Sequence, residues 1–234
     1  VNHRPSPAFP AAGRAGFDIL RGRIEVEVVR PAVIAITSST ADDGREIATR
    51  ALAESLASTG YLTLWIETSL NSGGLYAPAA GLGLAEIGQL IARSEPTAGS
   101  IAMLNLGNRA LQNTTSQMAM ESTLDNFRSK FHYVVISTEF SSAPQFASSI
   151  FTSSDAVFVS VKMGRRQKSA DVRLAAELKR IGSCFMGAVA IDPAIVAASS
   201  VVSNVPAIPG DGRHSHTMRV DRDRQRREIA EPAS

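Results

Sequence analysis

Ala32-Val33-Ile34-Ala35-Ile36-Thr37-Ser38-Ser39-Thr40-Ala41-Asp42-Asp43-Gly44-Arg45-Glu46 is the stretch that decides how this chain reads. An apolar run with β-branched residues opens after Pro31 and ends at Thr37, which predicts a buried strand. Ser38 through Gly44 is a polar turn. From Arg45 to Thr59 the period changes. Ala48, Leu52 and Leu56 lie four apart and form one helical face, and Gly60 ends it. A strand, a short polar loop and a helix give the place and length of a loop that cradles phosphate. Such a loop needs glycines so that backbone N–H groups converge on the anion, a Lys for its charge, and a Ser or Thr for magnesium. Here Gly44 is the one glycine. Arg45 stands where the Lys would stand and Glu46 where the hydroxyl would. An Arg fork is not interchangeable with a Lys ammonium, and Glu46 is no neutral hydroxyl ligand. Asp42 and Asp43 add negative charge where a polyanion would sit, which is repulsive in a low-dielectric pocket. The residues leave two readings open. One is an ordinary strand-to-helix turn with acidic residues favoured at the helix start. The other is residual nucleotide binding. Removal of the Asp42 and Asp43 charge is expected to be neutral or slightly stabilising, and changes at Arg45 are expected to be tolerated.

Outward from this stretch the pattern repeats. Residues 15–27 carry Phe17, Leu20 and Ile24 at helical spacing, with Arg21 and Arg23 on the polar side. Tyr61 to Ile66, Ser100 to Leu104, Phe131 to Ile136, Ala156 to Val161 and Gly187 to Ile191 read as strands. Leu84 to Ile91, Thr115 to Arg128 and Ala170 to Ile181 read as helices. Alternating strands and helices predict crossover units on a parallel sheet. Strands this uniformly apolar predict burial on both faces. The expected fold is α/β, a mostly parallel central sheet flanked by helices. Residues 1–14 read as a disordered leader, 15–205 as the single domain, and 206–234 as a polar, disordered tail.

Composition narrows the function. The chain has 234 residues, 44% hydrophobic and 20% charged, enough for one packed domain. Its 24 basic and 22 acidic residues leave a formal charge of +2, too little to imply a nucleic-acid partner. One cysteine, Cys184, excludes an intrachain disulfide framework and a thiolate metal cluster. Set in Cys184-Phe185-Met186-Gly187-Ala188-Val189, it reads as a buried structural thiol. No apolar run is long enough to span a bilayer, and the first residues carry no apolar signal core. The expected location is the cytoplasm. His132, between Phe131 and Tyr133, reads as a satisfied strand-edge histidine, and Trp65 as core. His214 and His216 lack companion metal ligands. Arg165, Arg166 and Lys168 follow Gly164 beyond a strand end, as a solvated basic patch or as a face toward anionic lipid or an acidic partner.

The motifs together resemble the cytoplasmic domain of bacterial tyrosine kinases and chain-length regulators of capsule and exopolysaccharide export. That group lies within the deviant phosphate-loop ATPases that include MinD and ParA. The resemblance runs from about Ala15 to Ile191. Thr37 to Glu46 is similar to the family's Thr-Ser-Pro-x-Pro-Gly-Glu-Gly-Lys-Ser/Thr. Leu62 to Leu70 resembles the apolar strand ending Asp-x-Asp-Leu, with Glu67 for the first Asp and Ser69 for the second. Phe131 to Phe140 resembles Tyr-Asp-Tyr-Val-Ile-Ile-Asp-Thr-Pro-Pro, with Ser137 for the magnesium-side Asp and Glu139 for a Pro. Ala15 to Arg21 resembles Glu-x-x-Arg-x-x-Arg, which packs subunits into a ring in the family. Arg21 matches, while Ala15 and Asp18 depart. The family's C-terminal tyrosine cluster is missing, since the tyrosines are Tyr61, Tyr76 and Tyr133.

What the resemblance implies is a fold retained around an altered site. Gly44, Arg45 and Glu46 would be the vestigial phosphate loop, and Glu67 the vestigial metal carboxylate. No catalytic residue is assigned. No resident cofactor is expected, with ATP and Mg²⁺ the ligands if the site retains binding. The implied function is a scaffold or regulator of exopolysaccharide export, docked on a membrane-embedded chain-length or export protein. Such a protein is cytoplasmic and is held at the inner membrane through that partner. A homo-oligomer or dimer stays open. The alternatives are an atypical ATPase or tyrosine kinase using Arg45, Glu46 and Glu67, and a membrane-surface protein of the positioning type.

Overall fold

The computed structural model describes residues 11–40, 43–68, 99, 101–105, 117–140, 144–164 and 168–194. In chain order these form α1 (Ala11–Glu27), β1 (Ala32–Ser38), α2 (Arg45–Ser58), β2 (Thr63–Glu67), β3 (Ile101–Asn105) and α3 (Gln117–Arg128). There follow β4 (Tyr133–Ser137), α4 (Pro144–Thr152), β5 (Ala156–Lys162), α5 (Lys168–Arg180) and β6 (Phe185–Ile191). The sheet runs β3-β2-β4-β1-β5-β6, and every neighbouring pair is parallel. The expected α/β architecture, a parallel sheet flanked by helices, is the one observed.

Strand alternation sorts the core into two layers. On one face Ala32, Ile34 and Ile36 of β1 join Tyr133 and Val135 of β4 against Ala48, Leu52 and Leu56 of α2 and Phe17 and Ile24 of α1. On the other, Val33, Ala35, Val134 and Ile136 meet Phe127 of α3, Ile150 and Phe151 of α4 and Leu178 of α5. All seven residues of β1 are buried, as its central place requires. The helix after it closes at Gly60, whose φ of 91° few other residues adopt without strain. Gly60 N–H bonds Ala57 O at 2.9 Å.

Four features differ from the sequence reading. First, β6 is not buried on both faces. It is the last strand, with β5 on one side, and its residues are mostly half-buried or exposed. Cys184, just before it, is exposed, so it is no buried thiol. The register slips between Val157 and Phe158, where Gly187 takes a φ of 143°, as in a bulge. Second, α4 was not anticipated. Its signal is the pairs Phe146/Ile150 and Ala147/Phe151, which lie four apart among serines and are all buried. Third, α1 begins at Ala11, so 11–14 are helical and not leader. Fourth, Arg21 is not on an outer polar face. Its Nη1 donates to Ser55 O of α2 at 3.1 Å and meets Asp18 Oδ1 at 3.3 Å. Ser55 Oγ donates to the same Asp18 oxygen at 2.6 Å. The one residue that matches the ring-packing motif thus sits in the seam between two helices of its own chain. The helix read over 84–91 and the tail from 206 lie outside the described residues.

Because Leu52 and Leu56 are fully buried between α2 and β1, either Leu→Ala change should cost about 2–5 kcal/mol. Urea unfolding followed by circular dichroism would read this as a lower midpoint with an unchanged slope.

Candidate functional site

The carboxyl edge of a parallel sheet is where α/β proteins place their ligands. Here that edge is formed by the ends of β1, β2 and β4 and the start of α2. Register sets its geometry: Ser137 pairs with Ile36 on one side and Glu67 on the other. Thr138 N–H bonds Ile36 O at 3.1 Å, and Thr68 donates to Ser137 O through its N–H at 3.1 Å and its hydroxyl at 2.8 Å. The strand ends are therefore held at fixed spacing before any side chain is considered.

Gly44 caps α2 in the left-handed region, with φ 71° and ψ 21°. That turn sends the next residue inward. Arg45 is a helix residue with a long guanidinium side chain, yet it is only 2% exposed. Its Nε donates to Ser137 Oγ at 2.9 Å. Its Nη2 lies 3.9 Å from Glu67 Oε1 and 3.8 Å from Glu46 Oε1, and its Nη1 lies 4.0 Å from Glu139 Oε2. These three are charge contacts rather than hydrogen bonds, being longer than good N–H···O geometry. Their number matters. Taking a guanidinium and a carboxylate out of water costs several kcal/mol per ion. One opposite charge at about 4 Å returns roughly 4 kcal/mol at an effective dielectric near 20. A single partner would not hold Arg45 inside, whereas three carboxylates and a hydroxyl do.

The loop before it is closed by its own acid. Asp43 is 1% exposed. Its Oδ2 accepts from Thr40 N–H at 3.1 Å and from Thr40 Oγ1 at 2.8 Å. Ser160 Oγ of β5 donates to the Asp43 carbonyl. Ser39 Oγ has one proton and gives it to Asp171 Oδ1 of α5, while Asp43 Oδ2 lies farther off at 3.3 Å. The loop is thereby tied to β5 and α5. This corrects the expectation that Asp43 is a dispensable repulsive charge, because a buried carboxylate that organises donors stabilises the loop it belongs to. The burial of Arg45 likewise argues against the expected tolerance there.

Of the residues singled out from sequence, Arg45, Glu46 and Glu67 come together at this edge, with Gly44 turning the chain between them and the loop. Asp42 lies outside the described residues. Ser137 and Glu139 were noticed as departures from a motif and not as partners of Arg45. The signal for them was charge: an arginine entering an apolar helix needs acids at the facing strand ends. Asp43, Ser160 and Asp171 were missed because their pairing is non-local. Among the described residues no group of three His, Cys, Asp or Glu is placed to hold a metal ion.

The other candidates fall elsewhere. His132 Nδ1 accepts Leu62 N–H at 3.0 Å, and its ring stands edge-on to Tyr61 at 5.8 Å, so it is a satisfied histidine at the opposite end of β4. Trp65 is half-buried against the α1–α2 layer. Tyr133 is fully buried, and burial pushes its phenol above the usual range, so it stays protonated. Arg165, Arg166, His214, His216 and Tyr76 lie outside the described residues, as does the side chain of Lys168.

Known structures carry the same fold. The kinase domain of Escherichia coli tyrosine kinase ETK superposes with a TM-score of 0.66 at 16% identity, covering 82% of this chain and 84% of that one. The VpsO kinase domain gives 0.57 at 16% identity, covering 77% and 94%. A plasmid partition protein from Borrelia burgdorferi gives 0.54 at 13%, covering 69% and 79%. The chain has a P-loop NTPase-like fold. It shares that fold with bacterial tyrosine-kinase and partition-protein domains, at identities that speak to the fold alone. No protein-family model matches the sequence, and no curated protein matches it.

Arg45→Ala removes the cation and leaves Glu67 buried beside Ser137, so it should cost about 3–5 kcal/mol. Glu46→Ala, at an exposed residue, should stay within about 0.5 kcal/mol of the parent. Denaturant titration of the two variants beside the parent checks the contrast. Equal stability of Arg45→Ala and parent would remove the buried network from the account.

Proposed function

We propose that this chain is a catalytically inactive, tyrosine-kinase-like protein that acts by contact, as a scaffold or regulator in exopolysaccharide or capsule biosynthesis and export. The observation that carries the inactive half is the seat of Arg45. Phosphoryl transfer is mostly positioning and charge compensation, with protein cations facing a ligand's anions. At this edge the guanidinium faces Glu67, Glu46 and Glu139 of its own chain. The Thr40 N–H, which a phosphate would claim, is bonded to Asp43. These residues do not fit a nucleotide's phosphates or its magnesium, and no chemical step is assigned here. The pathway half comes from the resemblance of the motifs to tyrosine kinases and chain-length regulators. The partner it suggests is a membrane-embedded chain-length or export protein, with this domain on the cytoplasmic side. Among the described residues no helix is long and apolar enough to cross a membrane.

The second reading is an atypical ATP-binding ATPase or protein-tyrosine kinase of the same pathway. The observation on its side is Glu67, a carboxylate retained at the end of β2 beside a helix-borne cation. Mg-ATP separates the two. A ligand at about 100 times its Kd adds roughly 2.7 kcal/mol to the folded state, so millimolar nucleotide should reveal even weak affinity as a raised thermal midpoint. The expected result is no shift, no saturable heat in calorimetric titration, and no magnesium-dependent hydrolysis above a protein-free control. Saturable binding that disappears in a folded Glu67→Gln variant would decide for the second reading.

A further inference from the structure

The opposite edge of the sheet carries a groove of about 750 Å³, open to solvent, at the amino ends of β1 and β4. Its apolar side is the end of α1 and the turn after it. Val26 and Val29 line the groove and are 86% and 87% exposed, with Pro31 and Leu62 beside them. Its polar side chains are mostly donors. Arg30 is exposed, with its Cζ over the Tyr61 ring at 4.9 Å from the centroid, a cation–π contact. Lys130 is exposed at the rim. Because His132 Nδ1 accepts the Leu62 N–H, the neutral ring carries its proton on Nε2 and is a donor there. Arg128 is already engaged by Asp125 and Asp155, at 2.9 Å each. The one acid in the lining, Glu25, lies 3.6 Å from Arg21.

The geometry points to this groove as a docking site for an acidic peptide segment of a partner protein, with an aliphatic side chain beside its carboxylates. The carboxylates meet Arg30, Lys130 and the His132 Nε2–H, and the aliphatic group lies on Val26, Val29 and Pro31. Charge complementarity selects the acid. The local backbone selects a peptide over a phosphate. Helices α1 and α3 both end at this edge; the Asp125, Asn126 and Phe127 carbonyls of α3 already accept bonds from Ser129, Lys130 and Phe131, so the acceptors that helix geometry leaves open are those at the end of α1. These present partial negative charge, which suits main-chain N–H groups and opposes a concentrated polyanion. Two uncommitted cations with one aromatic face already covered do not make a nucleic-acid platform. This inference holds whether or not nucleotide binds at the other edge.

The test is selection of a displayed random dodecapeptide library on the purified full chain. Enriched peptides should place Asp or Glu within a few residues of Leu, Ile or Val. Affinity for a selected peptide should fall about tenfold in Arg30→Glu and in Lys130→Glu, with thermal midpoints unchanged because both side chains are exposed. A Lys-for-Glu peptide should regain binding to Lys130→Glu. A pool without acidic bias would overturn the proposal. So would acidic peptides that bind the charge-reversed variants equally well, or binding to phosphatidylglycerol vesicles with no peptide enriched.

Discussion

The carboxyl edge of this sheet is organised around one constraint: a guanidinium buried among strand ends must be neutralised where it lies. Arg45 enters because Gly44 takes a left-handed turn, and from there the requirements propagate. Glu67 must end β2, an acceptor must end β4, and Glu139 must return toward the helix start. Parallel pairing puts Glu67 and Ser137 side by side, so the sheet supplies the spacing and the side chains supply the charge. No member can change sign without stranding another.

In a phosphate site the protein brings cations and converging N–H groups, and the ligand brings the negative charge. Here both halves belong to the chain. Asp43 takes the Thr40 N–H and the acids take Arg45. An incoming polyphosphate would have to displace carboxylates held at intramolecular effective concentration. Within the folded chain, Arg45 already has three carboxylates within 4.0 Å.

Much of the fold was legible because its signals are local. β1 and α2 announced themselves through a β-branched run, a four-residue spacing and a closing glycine. The misses have physical reasons. The short α4 has two pairs of buried residues in a serine-rich stretch, too brief for a period to stand out. The apolar sequence after Cys184 looked like core, but position in the sheet decides burial, and β6 is at the edge. At the site, the substituted residues were visible and their grouping was not. Glu139 and Arg45 are far apart in sequence, and only the crossover topology makes them neighbours. Asp43 was misjudged in sign, because a carboxylate that repels in an open loop stabilises once buried against donors.

The two edges of the sheet now stand in contrast. At the carboxyl edge Arg45 and Glu67 are buried against each other, and buried Asp43 is held by Thr40. At the amino edge the matched ions form a support: Arg128 bonds Asp155 and the Ser153 carbonyl, joining the end of α3 to the turn before β5. Asp155 in turn accepts the Val33 N–H at 2.7 Å, which fixes the start of β1. Arg30, just before that strand, and Lys130, just after α3, are therefore carried by backbone that is pinned on both sides. Rigid support lowers the entropy lost when such groups meet a partner. A fold whose usual ligand edge is filled from within keeps at its other edge exposed donors, exposed valines and a fixed frame, which are the physical requirements of recognition by contact.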